Sequence, residues 1–397
     1  MSDLLAPQTE EALLGVVRRA AAAGEPLAIE GLGGKRAMLR PVQAARTLST
    51  RALTGITLYR PEELVLSARA GTPLPEIEAA LDARRQMITA EPPDFSALFG
   101  HDQPSTLGGM VAANLSGPRR IGPAGALRDQ VLGVRAVTGH AELIRSGGRV
   151  HKNVTGLDLC KLLAGSHGTL GVLTEITLKL LPRPEASLTV AVRVPDLRHG
   201  VAALSAGLGS PYGVSGAALL PEGYPPLGLD GAVALLRLED FAEFLAHRSA
   251  GLRAALAGHG ETGLLEGEAS LALWRAVRDA AALGALPGEA IWRLSLRPSA
   301  APAAARALRE AFGARLLLDW GGGLVWVAGP ASDAAHRAVM AAARASRGTF
   351  TLFRAPDALR AAVPVLPEEP PPLAAIGARV KAAMDPSGIL NPGRMRG

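Results

Sequence analysis

After Pro184 the sequence passes twice through the same order of short elements. ASLTVAVRV, LRHGVAALSAGL, GVSGAALL and GAVALLRLED read as strand, helix, strand and strand, and helices follow near 240–257 and 270–283. The order then recurs: IWRLSLRP, a helix over 301–313, ARLLLDW, GLVWVAG, a helix over 332–346, and TFTLFRA. Runs with a period near two mark the strands, and apolar spacings of three and four mark the helices. Two passes of β-α-β-β-α-β predict an antiparallel sheet with helices on one face. No short repeat of fixed period accompanies them.

The first half has a different texture. TEEALLGVVRRAAAA is a helix with Thr9 as its cap and Gly24 as its stop. PLAIE is a short strand that runs into the loop GLGGKRAML. TGITLY and LVLSARA are strands around the turn RPEE, PLPEIEAALDARR is a helix, and MITAEPP is a strand ended by Pro-Pro. VLGVRAVTGHAELI reads as a hairpin with a Gly-His turn, GLDLCKLLAG as a helix, and TLGVLTEITLKLLPRP as a strand. At the other end, VPVLPEEPPP is a linker, and LAAIGARVKAAMDPSGILNPGRM is a helix with a terminal loop.

The chain is long enough for two or three domains, with 397 residues, of which 48% are hydrophobic. The net charge of +6 and a pI near 10.0 raise nucleic acid as a partner. The basic residues are scattered singles and pairs, with no stripe and no interleaved aromatics, which argues against it. An acidic protein partner or the inner face of a cell membrane suits the charge better. Cys160 is the single cysteine, so no intrachain disulfide, zinc CxxC site or iron–sulfur cluster is available. The lone thiol and the absence of a signal-peptide pattern in MSDLLAPQTEEALL imply a cytoplasmic protein.

Three places are poor in side chains. The first is EGLGGKRAM, where glycines after a strand let backbone N–H groups approach an anion. Its offsets match neither GxGxxG nor a Walker loop, and a plain glycine turn would look the same. The second is TLGGMVAANLSGPRR, where a double glycine, alanines, Asn114 and Ser116-Gly117 leave room for a large flat ligand. A tight helix contact would use the same small residues. The third is GSHGTLGVLTE, which also reads as a strand with a bulge.

Taken together, PEELVLSARAGTPLPEIEAAL, EPP, TLGGMVAANLSG, LRDQVLGVRAVTG and KNVTGLDLCKLLAGSHGTLGVLTEITLKLLPRP resemble the FAD-binding domain of vanillyl-alcohol oxidase-type (PCMH-type) flavoproteins. DPSGILNPGRM is similar to the tail of the D-2-hydroxy-acid dehydrogenase branch. DWGGGLVW, IWRLSLRP and TLFR are most similar to FAD-binding subunits of bacterial glycolate oxidases. The resemblance implies an α+β fold: a PCMH-type FAD-binding domain of two α/β subdomains over 1–184, and a ferredoxin-like antiparallel-sheet cap over 185–356. Residues 357–397 would form a linker and a C-terminal helix returning to the flavin.

The resemblance also implies site residues. Gly31, Leu32, Gly33, Gly34 and Lys35 stand at the pyrophosphate loop, with Pro92 and Pro93 at the turn before the next segment. Thr106, Leu107, Gly108, Gly109, Ala112, Asn114, Ser116 and Gly117 stand along the pyrophosphate and isoalloxazine. Gly168, Gly171 and Val172 stand at the strand entry beside the adenine half, and Asn391 reaches the flavin from the tail. The flavin would carry the redox chemistry. No histidine lies in the pyrophosphate loop, so FAD should be held non-covalently.

Some positions depart from the family pattern. Gly34 replaces a usual Ser or Thr, and Ala124-Gly125 replaces a usual Tyr-Gly. The H-x-G-D-G-like run of catalytic relatives is missing, and none of the eight histidines pair at metal-ligand spacing. A lone surface histidine is ordinarily solvated; His167 stands apart because it sits in the GSHG patch. The four tryptophans, Trp274, Trp292, Trp320 and Trp326, are suited to core filling or to a partner interface. No catalytic residue and no metal ligand is assigned.

The functional expectation is an FAD-binding subunit of a multi-subunit glycolate oxidase, supporting or relaying electrons. A catalytic flavoprotein subunit would oxidise the 2-hydroxy acid, and an iron–sulfur subunit would carry electrons away. A stand-alone FAD oxidoreductase of a hydroxy acid or sugar lactone, and a scaffold without its cofactor, are the alternatives.

Overall fold

The computed structural model describes residues 3–122, 125–148 and 157–396. His151, Ala124 and the KNVTG part of the 152–156 motif lie outside them. The chain divides into two units, one of Met1–Leu115, Ala126–Pro182 and Glu368–Gly397, the other of Ser116–Gly125 and Arg183–Pro367.

The first unit contains two sheets. Strands β1 (Asp3–Leu5), β2 (Leu27–Glu30) and β3 (Arg46–Ser49) form a parallel sheet in the order β1-β3-β2. Helix α1 (Glu10–Ala23) connects β1 to β2. Thr9 caps α1 by accepting from the Ala12 N–H, and Gly24 ends it in the left-handed region at φ 63°. Leu13, Val16, Val17 and Ala20 fall on one stripe and are buried with Leu27, Leu48, Val137 and Val172. Ile389 and Leu390 of the C-terminal tail belong to the same core.

The second sheet is antiparallel. It is built from β4 (Ile56–Arg60), β5 (Val65–Arg69), β6 (Val131–Val137), β7 (Leu143–Gly147) and β8 (Val172–Lys179), in the order β4-β5-β8-β6-β7. Helices α2 (Leu74–Asp82) and α3 (Leu107–Ala113) follow β5. The strand expected over MITAEPP reduces to Gln86–Met87, paired with Leu181–Pro182. Glu91 takes φ 48° and two prolines follow it, so the backbone leaves the ladder. Strands β1 and β3 were not anticipated; each is three or four residues long, too short to show a period.

The second unit carries the doubled pattern. Its sheet strands are β9 (Ala186–Arg193), β10 (Gly216–Leu220), β11 (Val233–Asp240), β12 (Thr262–Glu266), β13 (Ala290–Ser295), β14 (Arg315–Asp319), β15 (Leu324–Gly329) and β16 (Thr349–Arg354). They form one eight-stranded sheet in the order β12-β9-β11-β10-β14-β15-β13-β16. Each half is a ferredoxin-like β-α-β-β-α-β module, and the halves join edge to edge through β10 and β14. The helices are α4 (Leu197–Leu208) and α5 (Ala242–Leu256) in the first module, and α7 (Ala301–Phe312) and α8 (Asp333–Ala345) in the second. Between the modules lies α6 (Gly267–Arg278).

Cross-strand register places Leu236, Leu219, Leu318, Val325, Leu294 and Trp292 on one sheet face. The helices cover that face: glycines of α4 meet Leu219 and Leu236, and Phe312 of α7 and His336 of α8 meet Trp292. His336 is 1% exposed, unlike the solvated histidine expected, and its Nδ1 accepts from Trp292 Nε1 at 3.1 Å. Trp274, Trp292 and Trp326 are buried core residues, while Trp320 is half-buried. Helix α9 (Pro371–Met384) returns the chain to the first unit. Among the described residues, no helix is long and apolar enough to cross a membrane.

Candidate functional site

Strand β2 ends at Glu30 and passes straight into the glycine loop. A side-chain carbon at Gly31 would collide with Thr106 Oγ1, so the loop lies against the start of α3 only because Gly31 has none. Thr106 caps α3, accepting from the Gly109 N–H at 3.2 Å. Lys35 comes back over the same spot: its Nζ donates to Ser105 Oγ at 2.8 Å and lies 3.7 Å from where a Gly109 side chain would begin. Buried Met38 and Leu39 anchor the far end of the loop. His101 fixes its middle, with Nδ1 accepting from the Gln103 N–H at 3.2 Å and Nε2 thereby left to donate to the Gly34 carbonyl at 2.7 Å.

The far end of α3 meets the GSHG segment. Asn114 ends the helix in the left-handed region at φ 47°, and its Oδ1 accepts from the Arg128 N–H at 3.1 Å. The Gly165 and His167 N–H groups donate to the Val111 and Ala112 carbonyls at 3.1 and 2.9 Å. These bonds satisfy carbonyls that a helix end leaves without partners. A side chain on Gly168 would begin 2.9 Å from Asn391 Nδ2 and 3.3 Å from Ile29 Cβ.

Asn391 therefore holds segments together. Its Oδ1 accepts from the Ile29 N–H at 2.7 Å, and its Nδ2 donates to the carbonyls of His167 at 2.8 Å and Ile29 at 3.3 Å. The side chain is 4% exposed and its amide is used on protein backbone. The expected reach from the tail is present, but it ends on β2 and the GSHG loop.

Charge at the site is positive. Burial holds Lys35 down to about 8, opposed by the nearby Asp94 carboxylate. Among the described residues Lys35 makes no ion pair. Burial, followed by the charges of Arg394 and Lys35, holds His167 down to about 3, so its ring stays neutral at physiological pH. The Arg394 guanidinium donates to the Lys35 carbonyl at 2.6 Å and to the Arg36 and Arg40 carbonyls at 3.2 and 3.0 Å. A buried ammonium beside glycine backbone is a setting for an anion.

The structure thus joins Gly31–Lys35, Thr106, Gly109, Ala112, Asn114, His167, Gly168 and Asn391 in one region of the first unit. Other expected site residues are used differently. Leu107 and Val172 are core residues, each 1% exposed. A side chain on Gly108 would begin 2.8 Å from both the carbonyl oxygen and the Cβ of Ala70, which makes it a helix–strand packing glycine. Gly171 packs against the Val137 carbonyl and Leu163. Pro92 and Pro93 are buried in their loop. Ser116 and Gly117 belong to the second unit, where the Gly117 carbonyl accepts from Trp320 Nε1 at 3.1 Å.

Sequence reading missed the residues that tie the tail down. Lys381 Nζ donates to Asp385 Oδ2 at 2.6 Å and to the Thr169 and Leu390 carbonyls at 2.7 and 3.1 Å. Asp385 also accepts from the Ile389 and Leu390 N–H groups at 3.2 and 2.8 Å. The signal was present in DPSGILNPGRM, whose Asp385 opens the motif and whose Arg394 stands next to its end.

Comparison with known proteins adds to this geometry. A family model described as an FAD binding domain matches residues 3–147. The glycolate oxidase subunit GlcE of Escherichia coli (strain K12) is 38% identical over 387 residues, 97% of this chain and 97% of that protein. The glycolate oxidase subunit GlcD of Bacillus subtilis (strain 168) is 41% identical over 99 residues, 25% of this chain and 20% of that one. Among solved structures, 4-ethylphenol oxidase from Gulosibacter chungangensis superposes with a TM-score of 0.76 at 15% identity, covering 99% of this chain and 88% of its own. An alkyldihydroxyacetonephosphate synthase superposes with a TM-score of 0.70 at 15% identity, covering 98% and 75%. At that identity the structural likeness concerns the fold.

Proposed function

The chain belongs to the family of the glycolate oxidase subunit GlcE, and from that membership we propose that it is the FAD-binding subunit of a multi-subunit glycolate oxidase (dehydrogenase) converting glycolate to glyoxylate. It is an FAD-binding oxidoreductase subunit. The observation that carries the reading is the meeting of Gly31 and Gly109, which carry no side chain, with Thr106 and the Lys35 ammonium.

The residues present fit the cofactor. FAD, when bound, supplies the redox chemistry. Lys35 offers its charge to the pyrophosphate, and the glycines from Gly31 to Gly34 offer backbone N–H groups without side chains in the way. Gly109 adds no side chain of its own beside Thr106 and Lys35. His167 stays neutral and adds no charge of its own. Asn391 and Arg394 act through the loops they hold and are positioning residues. No histidine lies in the 30–38 loop, so the cofactor is held by contacts alone.

In this reading the chain supports or relays electrons while a catalytic flavoprotein subunit oxidises the 2-hydroxy acid, and an iron–sulfur subunit takes the electrons on. The missing H-x-G-D-G-like run supports placing substrate oxidation on the partner. The complex works in the cytoplasm, and the net charge of +6 favours peripheral association with an anionic membrane face.

Purified chain, alone and reconstituted with its two partner subunits, tests this. The expected result is one flavin per chain, no glycolate-dependent dye reduction alone, and turnover after reconstitution. Robust turnover by the isolated chain would instead indicate a stand-alone oxidoreductase, and a colourless protein a scaffold.

A further inference from the structure

The eight-stranded sheet of the second unit has two edges, and the chain treats them differently. At β16 the Leu352 N–H donates to the Val365 carbonyl at 2.8 Å, so a following segment covers that edge. At the other edge stands β12, with β9 as its one sheet neighbour. The Arg193 N–H donates to the Glu261 carbonyl at 2.9 Å, and the Val194 N–H turns the other way, to the Ala232 carbonyl at 3.0 Å. These bonds fix the phase of the ladder, because bonded and non-bonded positions alternate in an antiparallel pair. Gly263 and Leu265 therefore exchange bonds with Ala191 and Thr189, while Thr262, Leu264 and Glu266 turn their N–H and C=O groups outward. Such a row is a template for another strand, and proteins commonly guard it with proline or lysine. The sequence of β12, TGLLE, has neither, and Leu264 is 40% exposed.

The side chains beside this edge complement a second copy of the same strand. Leu264 stands in register with Val190, and Val190 with Leu236, so Thr262, Leu264 and Glu266 lie on the face that the helices cover. Arg253 of α5 reaches this row, where its Nε donates to Thr262 Oγ1 at 3.0 Å. On the same flank of α5, at helical spacing, Ala250 and Ala246 are exposed and add no bulk. Arg253 and Glu266 are both exposed, and among the described residues neither makes an ion pair.

We propose that β12 is the interface of a homodimer, in which two copies of the strand pair antiparallel about a two-fold axis at Leu264. This register uses all three outward residues at once. Leu264 pairs with its own counterpart, Thr262 pairs with the second copy's Glu266, and each outward N–H meets an outward carbonyl. Directly opposed residues share a face, so Glu266 of one copy arrives beside Arg253 of the other, twice by symmetry. The two Leu264 side chains meet over the alanine flanks of the two α5 helices. Moving the axis to Gly263 or Leu265 leaves one outward residue unpaired and takes Glu266 out of line with Thr262. The paired strands make one continuous sheet across both copies. The patch is small, which makes the association weak and concentration-dependent. It lies within the second unit and does not depend on the cofactor reading.

Sedimentation velocity of the purified chain over about 1–200 μM tests the pairing, with reversible monomer–dimer exchange expected in that range. Leu264→Pro removes the outward N–H at the two-fold axis, a change that an edge strand tolerates in the monomer, and should abolish the dimer. Glu266→Arg sets guanidiniums side by side and should weaken the dimer at least tenfold, and combining it with Arg253→Glu should restore the affinity. Hydrogen exchange should show the Thr262, Leu264 and Glu266 amides protected at the highest concentration and open at the lowest. A monomer throughout the range, a dimer unchanged by Leu264→Pro, or no recovery in the charge swap would overturn the proposal. Protection of these amides only on adding another subunit would assign the edge to that subunit and overturn it as well. If Leu264→Pro does not fold, Glu266→Arg and the charge swap decide.

Discussion

Glu10, in the first turn of α1, and Arg135, on β6, are 125 residues apart and joined by two N–H···O bonds. Thr174 Oγ1 on β8 donates to the same carboxylate at 2.5 Å. The helix of the parallel-sheet layer is thereby fixed to the middle of the antiparallel sheet by one acid that is 7% exposed. Glu10→Ala leaves Arg135 and Thr174 without their acceptor and should cost about 3 kcal/mol, the scale for removing one member of a buried ion pair. Urea unfolding monitored by circular dichroism measures it.

The same carboxylate makes stability pH-dependent. Burial pushes the Glu10 pKa up, but bonds to Arg135 and Thr174 prevail and leave it below 4.5. Its contribution is therefore complete above the unfolded value and is lost as pH falls through the folded one. Wild type should lose stability more steeply than Glu10→Gln when the pH is lowered below 4.5, and thermal midpoints across that range read the difference.

Asp385 is the acceptor on which the C-terminal tail depends. Asp385→Ala strands Lys381 and the N–H groups of Ile389 and Leu390, and should cost about 3 kcal/mol. Release of the tail should appear as rapid tryptic cleavage after Arg394, a site protected in wild type by its bonds to the 35–40 loop.

Lys35 links cofactor affinity to pH. With its pKa at about 8, the ammonium is half lost at that pH in the free protein, and an anionic ligand favours the protonated form. FAD affinity should fall about tenfold between pH 7 and pH 9, because at pH 9 only about a tenth of the free sites are protonated. Fluorescence titrations of apoprotein measure this. Lys35→Met should bind more weakly at pH 7 and show a flat profile.

Much of the architecture was legible because it rests on local periodicity. The doubled β-α-β-β-α-β order gave the eight-stranded sheet, since its strands run five to eight residues and its helices twelve or more. Strands such as Asp3–Leu5 and Arg46–Ser49 were not legible: they gain stability from their sheet neighbours and carry too few residues to show alternation. At the site, the glycine-rich segments were found but their members could not be sorted. Gly108 and Gly109 look alike in sequence, yet one faces Ala70 and the other faces Lys35. Asn391 was found for its reach, but only its bonds to Ile29 and His167 show that it acts by holding loops. Asp385 and Lys381 escaped notice because their partners lie more than 200 residues away at Thr169, or inside the tail itself.

That sorting of the two glycines gives the most direct test of the account. FAD titration of apoprotein should compare wild type, Gly109→Leu and Gly108→Ala. Leucine at 109 gains helix propensity of about 1 kcal/mol, which offsets the tight contact of its Cβ at 3.1 Å from Thr106 Oγ1, and it projects over Lys35, so the protein should stay folded and lose FAD affinity at least a hundredfold. Alanine at 108 should lower stability by about 1–3 kcal/mol through overpacking against Ala70 and leave the affinity of the folded fraction near wild type. Wild-type affinity in folded Gly109→Leu would contradict the claim that these segments line the cofactor's place.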